Sequence, residues 1–172
     1  MPRNRQRDIE VFVSHSHEDY ALAEAIVEFL VLGVDLGFGD IRCTSYMDTG
    51  LSGGDNIIKE LRRDIDECRI FIPLITANCR SSEYVLFEIG IAWALEKKIM
   101  PVLFDPTRVA APPTMLSHLL WRDATKPNDL TLLAHDIGGQ IFRRNSQPTQ
   151  KDISNAVAKF RRSTRKINSG IT

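Results

Sequence analysis

The chain is poor in the residues that build disulfide frameworks and cysteine-based zinc sites. Its 172 residues include three cysteines, Cys43, Cys68 and Cys79, and no two of them form a C-x-x-C pair. An odd number of widely spaced cysteines is typical of a protein kept in a reducing compartment. The sequence therefore argues against a disulfide-stapled fold and predicts a cytoplasmic location.

Long hydrophobic runs and an excess of one charge are also absent. No apolar run reaches the roughly 18 residues that a membrane-spanning helix needs, and the charged start Met1–Arg7 leads into no signal-peptide core. Lys plus Arg and Asp plus Glu both number 22, so the formal net charge is zero. Because a chain without net charge creates no long-range electrostatic field, we expect neither nucleic acid nor a membrane as a partner. The length and the 43% hydrophobic content fit one globular domain.

Three familiar site motifs are missing. The absence of G-x-S-x-G argues against a Ser-His-Asp hydrolase. The glycine-rich segment Asp48–Asp55 lacks the Gly-Lys-Ser/Thr ending of a phosphate loop and is not a Rossmann fingerprint. It remains either a surface connector, with Asp55 or Asn56 capping the next helix, or a binding and assembly loop. His15 and His17, two residues apart, could chelate a metal only from an extended segment, and His118 and His135 lie far away in sequence, so we expect no metal site.

Short apolar runs alternate with longer amphipathic ones, as in a doubly wound α/β protein with a parallel sheet. The pattern predicts four or five strands, at Ile9–Val13, Asp40–Ser45, Arg69–Ile75, Ile99–Phe104 and around Leu119–Trp121. The intervening helices are predicted at Tyr20–Leu32, Ile57–Cys68, Tyr84–Leu95 and Asp129–Arg143. Pro73 removes one ladder donor, so we expect it at the end of its strand or at a bulge.

A polar segment that contains a proline, Asn145–Gln150, separates the last part of the chain from the rest. We divide the sequence into a domain at 1–144 and a linker with a C-terminal helix or tail at 145–172. A capping pattern at Thr149–Asp152 predicts a helix that reaches about Lys166. The basic residues in its last turns favour helix-dipole complementarity over a nucleic-acid or lipid patch; these are Arg161, Arg162, Arg165 and Lys166.

One carboxylate stands alone in the run Tyr84–Leu95, where Glu88 is the only residue expected to be charged at neutral pH. The run is apolar nearly all round, so we expect its helix to be buried on most sides. A buried, unpaired carboxylate is costly, and it is usually paired, protonated or retained for chemistry. The sequence leaves a salt-bridged core residue and a catalytic residue both open.

Polar residues follow each of the first three predicted strands. In open α/β sheets, ligands bind at the carboxyl ends of the strands, so these segments are candidates for a site. Part of the first segment also fits a helix cap, which is a structural role. The segments are Ser14–Asp19, Ser45–Asp48 and Thr76–Asn78.

In this order, four segments resemble the Toll/interleukin-1 receptor (TIR) domain family. Val11–Ser16 is similar to its first conserved box, Met47–Asn56 to its BB loop, Phe71–Asn78 to its central strand, and Ser81–Ile89 to its Ser-x-x-Trp-Cys-x-x-Glu-Leu helix. Each segment is weakly specific alone, and their order and spacing carry the resemblance. The resemblance is firm from Asp8 to Phe104 and looser to Arg143. The residues of these segments are more similar to bacterial, NAD⁺-cleaving members than to animal receptor adaptors.

The resemblance implies a flavodoxin-like fold with helices on both faces of the sheet. It also implies an NAD⁺ glycohydrolase or cyclase, acting in antiviral (antiphage) defence, in which Glu88 cleaves the nicotinamide–ribose bond. NAD⁺ is then the substrate, and no separate cofactor is expected. The products would be nicotinamide with ADP-ribose, a cyclic isomer of it, or a transferred ADP-ribose. The implied substrate-binding residues are Ser14, His15, Ser16, Thr44, Ser45, Tyr46 and Tyr84.

The chain departs from the family pattern at Tyr84-Val85, which replaces Trp-Cys, and in the glycine content of the loop. Family members often self-associate through the BB loop, here Asp48–Asn56, and some signal to a downstream effector protein. Others are adaptors without catalysis, so a non-catalytic interaction module is the alternative. Hydrolysis of another nucleoside or nucleotide by Glu88 is a third, weaker possibility.

Overall fold

The computed structural model describes residues 9–43, 57–105, 113–141 and 148–169. Within them six short strands form one sheet: β1 (Val11–Ser14), β2 (Ile41–Cys43), β3 (Ile70–Ile75), β4 (Lys98–Ile99), β5 (Val102–Leu103) and β6 (Arg122–Asp123). The strand order is β2-β1-β3-β5-β6, β4 also pairs with β3, and every pairing is parallel. The order of the strands switches at β1, because β2 lies on one side of it while β3 and the later strands lie on the other. This confirms the predicted doubly wound parallel sheet.

Helices cover both faces of this sheet, as predicted. They are α1 (Tyr20–Val34), α2 (Ile57–Glu67), α3 (Glu83–Ala94), α4 (Pro127–Gln140) and α5 (Gln150–Ser169). Helices α1, α4 and α5 share one hydrophobic cluster with Val11 and Val13, whereas α2 and α3 share the other with Phe12. Because neighbouring side chains on a strand point to opposite faces, β1 supplies both layers of the core. Phe12 stacks on Phe71 of β3, with ring centroids 5.5 Å apart.

The predicted fourth strand is two strands in the structure, and the cause is a pair of prolines. Strand β3 pairs with Lys98 and Ile99 near its start and with Val102 and Leu103 at its end, in one continuous register. That register places Pro73 opposite Pro101, and neither residue can donate a backbone hydrogen bond to the ladder. Pro73 therefore lies inside β3, at a break in the ladder, and not at the strand's end.

Two further predicted elements are shifted along the sequence. The predicted fifth strand corresponds to β6 (Arg122–Asp123), which begins just after the predicted range Leu119–Trp121. Helix α4 begins at Pro127, two residues before the predicted start, because proline suits the first turn of a helix, where no N–H partner is needed.

The C-terminal helix packs into the main core. Phe160 of α5 meets Phe29 of α1 edge to face, with centroids 5.9 Å apart. The predicted cap at its start is confirmed, since Asp152 accepts hydrogen bonds from the backbone N–H and hydroxyl of Thr149 at 3.0 and 2.6 Å. The proposed division at residue 144 falls outside the described ranges and stays a prediction.

Helix α3 is not buried on most sides, so that prediction was wrong. Its buried stripe repeats at helical spacing through Val85, Glu88, Ile89 and Ala92. The opposite side exposes large apolar side chains because the sheet covers only one face of the helix; Tyr84 is 73% exposed, Phe87 45% and Trp93 51%. No described helix is long and apolar enough to cross a bilayer.

Candidate active site

Glu88 is a buried acid at the carboxyl edge of the sheet. It lies on the stripe of α3 that faces the sheet and is 2% exposed. The helix begins after Ser82, whose hydroxyl caps it by accepting from the backbone N–H of Val85 at 3.4 Å. Ser82 and Glu88 are six residues apart, so the carboxyl group lies less than two turns into the helix.

The partner of Glu88 is the hydroxyl of Ser14. Ser14 is the last residue of β1, is fully buried, and donates a hydrogen bond to Glu88 Oε2. Strand β1 is central, with β2 on one side and β3 on the other, so its carboxyl end is the natural place for a ligand. The structure therefore brings together two of the residues that the sequence predicted for the site.

Burial without a cation changes the acidity of Glu88. Desolvation raises its pKa to about 8, and the hydrogen bond from Ser14 opposes that rise. A hydroxyl stabilises a carboxylate by a single hydrogen bond, which is less than a neighbouring Arg or Lys provides. At neutral pH the group is therefore largely protonated in the free protein.

His15 follows Ser14 in the chain, and its imidazole contacts a thiol. It is 5% exposed, and its Nδ1 is 3.6 Å from Sγ of Cys43, the last residue of β2. Burial lowers the pKa of His15, while a backbone contact to Val13 and the charge of Asp19 oppose the shift. The imidazole is thus neutral at physiological pH, so it can serve as a hydrogen-bond donor or acceptor but supplies no positive charge.

Ser16 is buried and its hydroxyl donates to the carboxylate of Glu18 two residues on. It therefore belongs to the turn His17–Asp19 that leads into α1, as the capping interpretation suggested, although the side-chain cap bond itself is absent. Its predicted role in substrate binding stays a prediction.

A second buried carboxylate joins the two loops beside the site. Asp19 is 5% exposed; its Oδ2 accepts from Thr76 Oγ1 at 2.5 Å, and its Oδ1 accepts from Asn78 Nδ2 at 2.9 Å. The sequence placed these three polar residues after β1 and β3 but did not identify the contact between them. The rule that parallel strands end at one edge was the available signal.

The remaining predicted site residues are not brought together with Glu88 in the part of the chain that the structure describes. Thr44, Ser45 and Tyr46, and the loop Asp48–Asn56, lie outside the described residues. Tyr84 is one turn before Glu88 but points to the exposed side of α3. Within the described ranges no group of His, Cys, Asp and Glu side chains forms a metal site, and none of the three cysteines forms a disulfide.

Comparison with known proteins agrees with this architecture. The uncharacterized protein YddK of Bacillus subtilis (strain 168) is 30% identical over 93 residues, which cover 53% of this chain and 34% of the relative. The chain thus spans about a third of that relative's length. The TIR domain of the Toll-related receptor TRR-2 from Hydra magnipapillata has a TM-score of 0.59 at 17% identity, and the match covers 74% of this chain and 96% of that chain.

A family-level match is more extensive than either of these pairwise similarities. Residues 11–134 match the family described as TIR domain. The matched range runs from β1 into α4 and contains both Ser14 and Glu88. The relative from Bacillus is consistent with the bacterial character of the sequence. The chain belongs to the TIR domain family.

Proposed function

We propose that this TIR domain is an NAD⁺ nucleosidase that cleaves the bond between nicotinamide and ribose. The observation that carries the proposal is the Glu88 carboxyl group, which is 2% exposed at the carboxyl edge of the sheet and is bonded to the Ser14 hydroxyl. Burying an acid without a cation lowers the stability of the fold, and acids with such a perturbed pKa cluster at functional sites.

The chemistry suits a single carboxylate. The C1′–N bond of NAD⁺ breaks with its electron pair going to the nicotinamide nitrogen, so the pyridinium leaves as a neutral molecule. The ribose becomes oxocarbenium-like, and a carboxylate near C1′ stabilises that positive charge. Water then attacks C1′ and releases one proton, which completes hydrolysis. Because nicotinamide is already a good leaving group, a second carboxyl group is not required as an acid.

The protonation state of Glu88 fits a cationic substrate. In the free protein, burial raises the pKa of Glu88 to about 8. A pyridinium ring in contact with Glu88 would favour the ionised form, since an opposite charge within a few ångströms lowers the pKa of an acid. Ser14 would keep its hydrogen bond to the carboxylate and hold its orientation toward the ribose. A neutral nucleoside would not offer this charge compensation.

The biological setting follows from the family resemblance. The product would be ADP-ribose, or a cyclic isomer if the adenine of the same molecule replaces water as the nucleophile, or a transferred ADP-ribose. We propose a role in antiphage defence in the cytoplasm, with a downstream effector protein that responds to the product. Self-association through Asp48–Asn56 would complete or gate the site.

Nicotinamide release from NAD⁺, followed by chromatography, tests the proposal. We expect release by the wild type and at least a roughly 100-fold lower rate for Glu88→Gln, which keeps the shape of the side chain but cannot carry the charge. Glu83→Gln is the matched control, because Glu83 is an exposed acid on the same helix. The mass of the second product separates hydrolysis from cyclisation, which differ by one water.

A low rate at dilute concentration has to be followed by assays at high protein concentration or with a crowding agent, because assembly would gate the site. Equal release by wild type and Glu88→Gln would refute the catalytic role of Glu88. No release by either protein under assembling conditions would favour the second candidate below.

The second candidate is a non-catalytic interaction module. It is favoured by the exposed apolar side of α3, where Tyr84, Phe87 and Trp93 are 73%, 45% and 51% exposed. Large apolar side chains that a helix leaves exposed are typical of a surface that contacts another protein. Under this proposal Glu88→Gln keeps both function and self-association, whereas the nucleosidase proposal requires loss of function with association intact.

A further inference from the structure

Asp19 connects two segments that are far apart in sequence. Its two carboxylate oxygens bind different residues: Oδ2 accepts from Thr76 Oγ1 at 2.5 Å, and Oδ1 accepts from Asn78 Nδ2 at 2.9 Å. Both partners lie in the loop after β3, 57 and 59 residues farther along the chain. One buried carboxylate thus joins the loop after β1 to the loop after β3.

The hydroxyl of Thr76 organises the second loop around this contact. While it donates to Asp19, its oxygen accepts from the backbone N–H groups of Asn78 and Cys79 at 3.1 and 3.2 Å. The hydroxyl therefore uses its donor and both acceptor positions. From this turn the chain continues to Ser82, the N-cap of α3, so the turn sets where α3 starts.

The first loop is fixed in the same way. The backbone N–H of Asp19 donates to the carbonyl of Ser16 at 2.9 Å, and Ser16 is two residues after Ser14. We call Asp19, Thr76 and Asn78 the loop clamp. Their contacts hold the loop that follows Ser14 against the loop that leads to Glu88. The clamp itself touches neither Ser14 nor Glu88 through any of these hydrogen bonds.

We propose that Asp19 is a positioning residue, which acts through the loop clamp to place the Ser14 hydroxyl against the Glu88 carboxyl group. The inference rests on the proposed function, since it concerns the same site, but the contact between Ser14 and Glu88 can be measured without any substrate. It assigns a role to a carboxylate that the cleavage step does not use.

Asp123 provides a matched control for a buried acid with a threonine partner. It is 7% exposed, and its Oδ1 accepts from the hydroxyl and the N–H of Thr125 at 2.6 and 2.9 Å. These bonds stay within one turn after β6 and join no second loop. Asp19→Asn and Asp123→Asn each remove one buried carboxylate, that of Asp123 being paired with Lys126, and only the first disturbs the clamp.

The experiment is a titration of the Glu88 carboxyl carbon by NMR in the free protein. Because the hydrogen bond from Ser14 favours the ionised form, Ser14→Ala should raise the pKa of Glu88. We expect Asp19→Asn and Thr76→Val to raise it as well, by about 0.5 unit or more, and Thr76→Ser to restore the wild-type value. In a Ser14→Ala background, Asp19→Asn should add no further shift, because it acts through Ser14.

Two results would overturn the inference. One is a lower Tm for Asp19→Asn with an unchanged Glu88 titration, as expected for Asp123→Asn, which would make the clamp merely structural. The other is a full additional shift in the Ser14→Ala background. If Asp19→Asn does not fold, Thr76→Val and Asn78→Ala test the same contacts with neutral residues.

The activity assay separates this inference from the proposed function. If both hold, Asp19→Asn lowers kcat more than it changes KM, and Thr76→Ser rescues the rate. Absence of nicotinamide release by the wild type, together with the expected titration shifts, refutes the proposed function and leaves the positioning role intact. Normal release by Asp19→Asn with a wild-type titration refutes the positioning role alone.

Discussion

The buried carboxylates in the described part of the chain fall into two groups that differ in their partners. Glu10, Asp64 and Asp123 lie within ion-pair distance of a cation: Arg69 at 2.9 Å, Arg42 at 2.8 Å and Lys126 at 3.1 Å, respectively. Within the same ranges, Asp19 and Glu88 form no ion pair with Lys or Arg and bind hydroxyl or amide donors. Asp19 joins the loops after β1 and β3, and Glu88 contacts Ser14 at the end of β1.

We interpret this difference as separating carboxylates that maintain the fold from carboxylates that belong to the proposed site. A cation beside a buried acid offsets part of the cost of desolvation, so the first group is compatible with a purely structural role. The second group keeps part of that cost, which selection for stability alone would remove. Ligand-binding sites are where proteins retain such groups. The two groups should therefore respond differently when the pH changes or a partner is removed.

The largest expected effect is on the pH dependence of stability. The pKa of Glu88 rises from 4.5 to about 8 on folding because of burial, so the folded state binds this proton more tightly. Its contribution to stability is complete below about pH 4.5 and is lost as the pH rises through about 8. In urea unfolding, the free energy of unfolding of the wild type should fall by roughly 2–4 kcal/mol relative to that of Glu88→Gln between pH 5 and 9.

The comparison with Glu88→Gln cancels the other titrating groups, and Glu83→Gln serves as the control for an exposed acid on the same helix. The difference between wild type and Glu83→Gln should stay flat with pH. A difference between wild type and Glu88→Gln that is equally flat would show that Glu88 is ionised throughout. It would then belong with the compensated group.

The next effect concerns catalysis, and it rests on the proposed function. If only the ionised carboxylate stabilises the transition state, kcat/KM for NAD⁺ should rise about tenfold per pH unit up to about pH 8 and then level off. Because the cationic ring lowers the pKa of Glu88 in the complex, kcat should level off at a lower pH than kcat/KM. Initial rates between pH 6 and 9 measure both profiles. A flat kcat/KM profile over that range would exclude a carboxyl group with a raised pKa as the catalytic residue.

Much of this architecture could be predicted from the sequence, because periodicity and strand order are local signals. The apolar runs at β1 and β3 predicted the parallel sheet, and the polar residues after them placed Ser14 at its carboxyl edge. Long-range pairing could not be predicted in the same way. Asp19 and Thr76 are 57 residues apart, and no local pattern connects them.

Burial of α3 was the main error, and its cause is physical. A run with one charged residue indicates burial all round only if the fold supplies cover on every side. Here the sheet covers one side, and Tyr84, Phe87 and Trp93 remain exposed. Composition alone does not distinguish a core helix from one whose second side is left for a partner.

The smallest expected effect comes from the compensated group. Arg42 lies 2.8 Å from the buried carboxylate of Asp64, and Arg63 is farther away at 3.7 Å. Arg42→Met should lower the free energy of unfolding by about 1–2 kcal/mol, since Asp64 stays buried with weaker compensation. Arg62→Met, an exposed change on the helix that carries Asp64, should stay within about 0.5 kcal/mol of wild type. Adding Asp64→Asn to Arg42→Met should recover part of the loss in urea unfolding, because the uncompensated charge is gone. If the double variant is instead less stable than Arg42→Met, the role of Asp64 is not charge pairing, and the division of the buried carboxylates by partner fails for this residue.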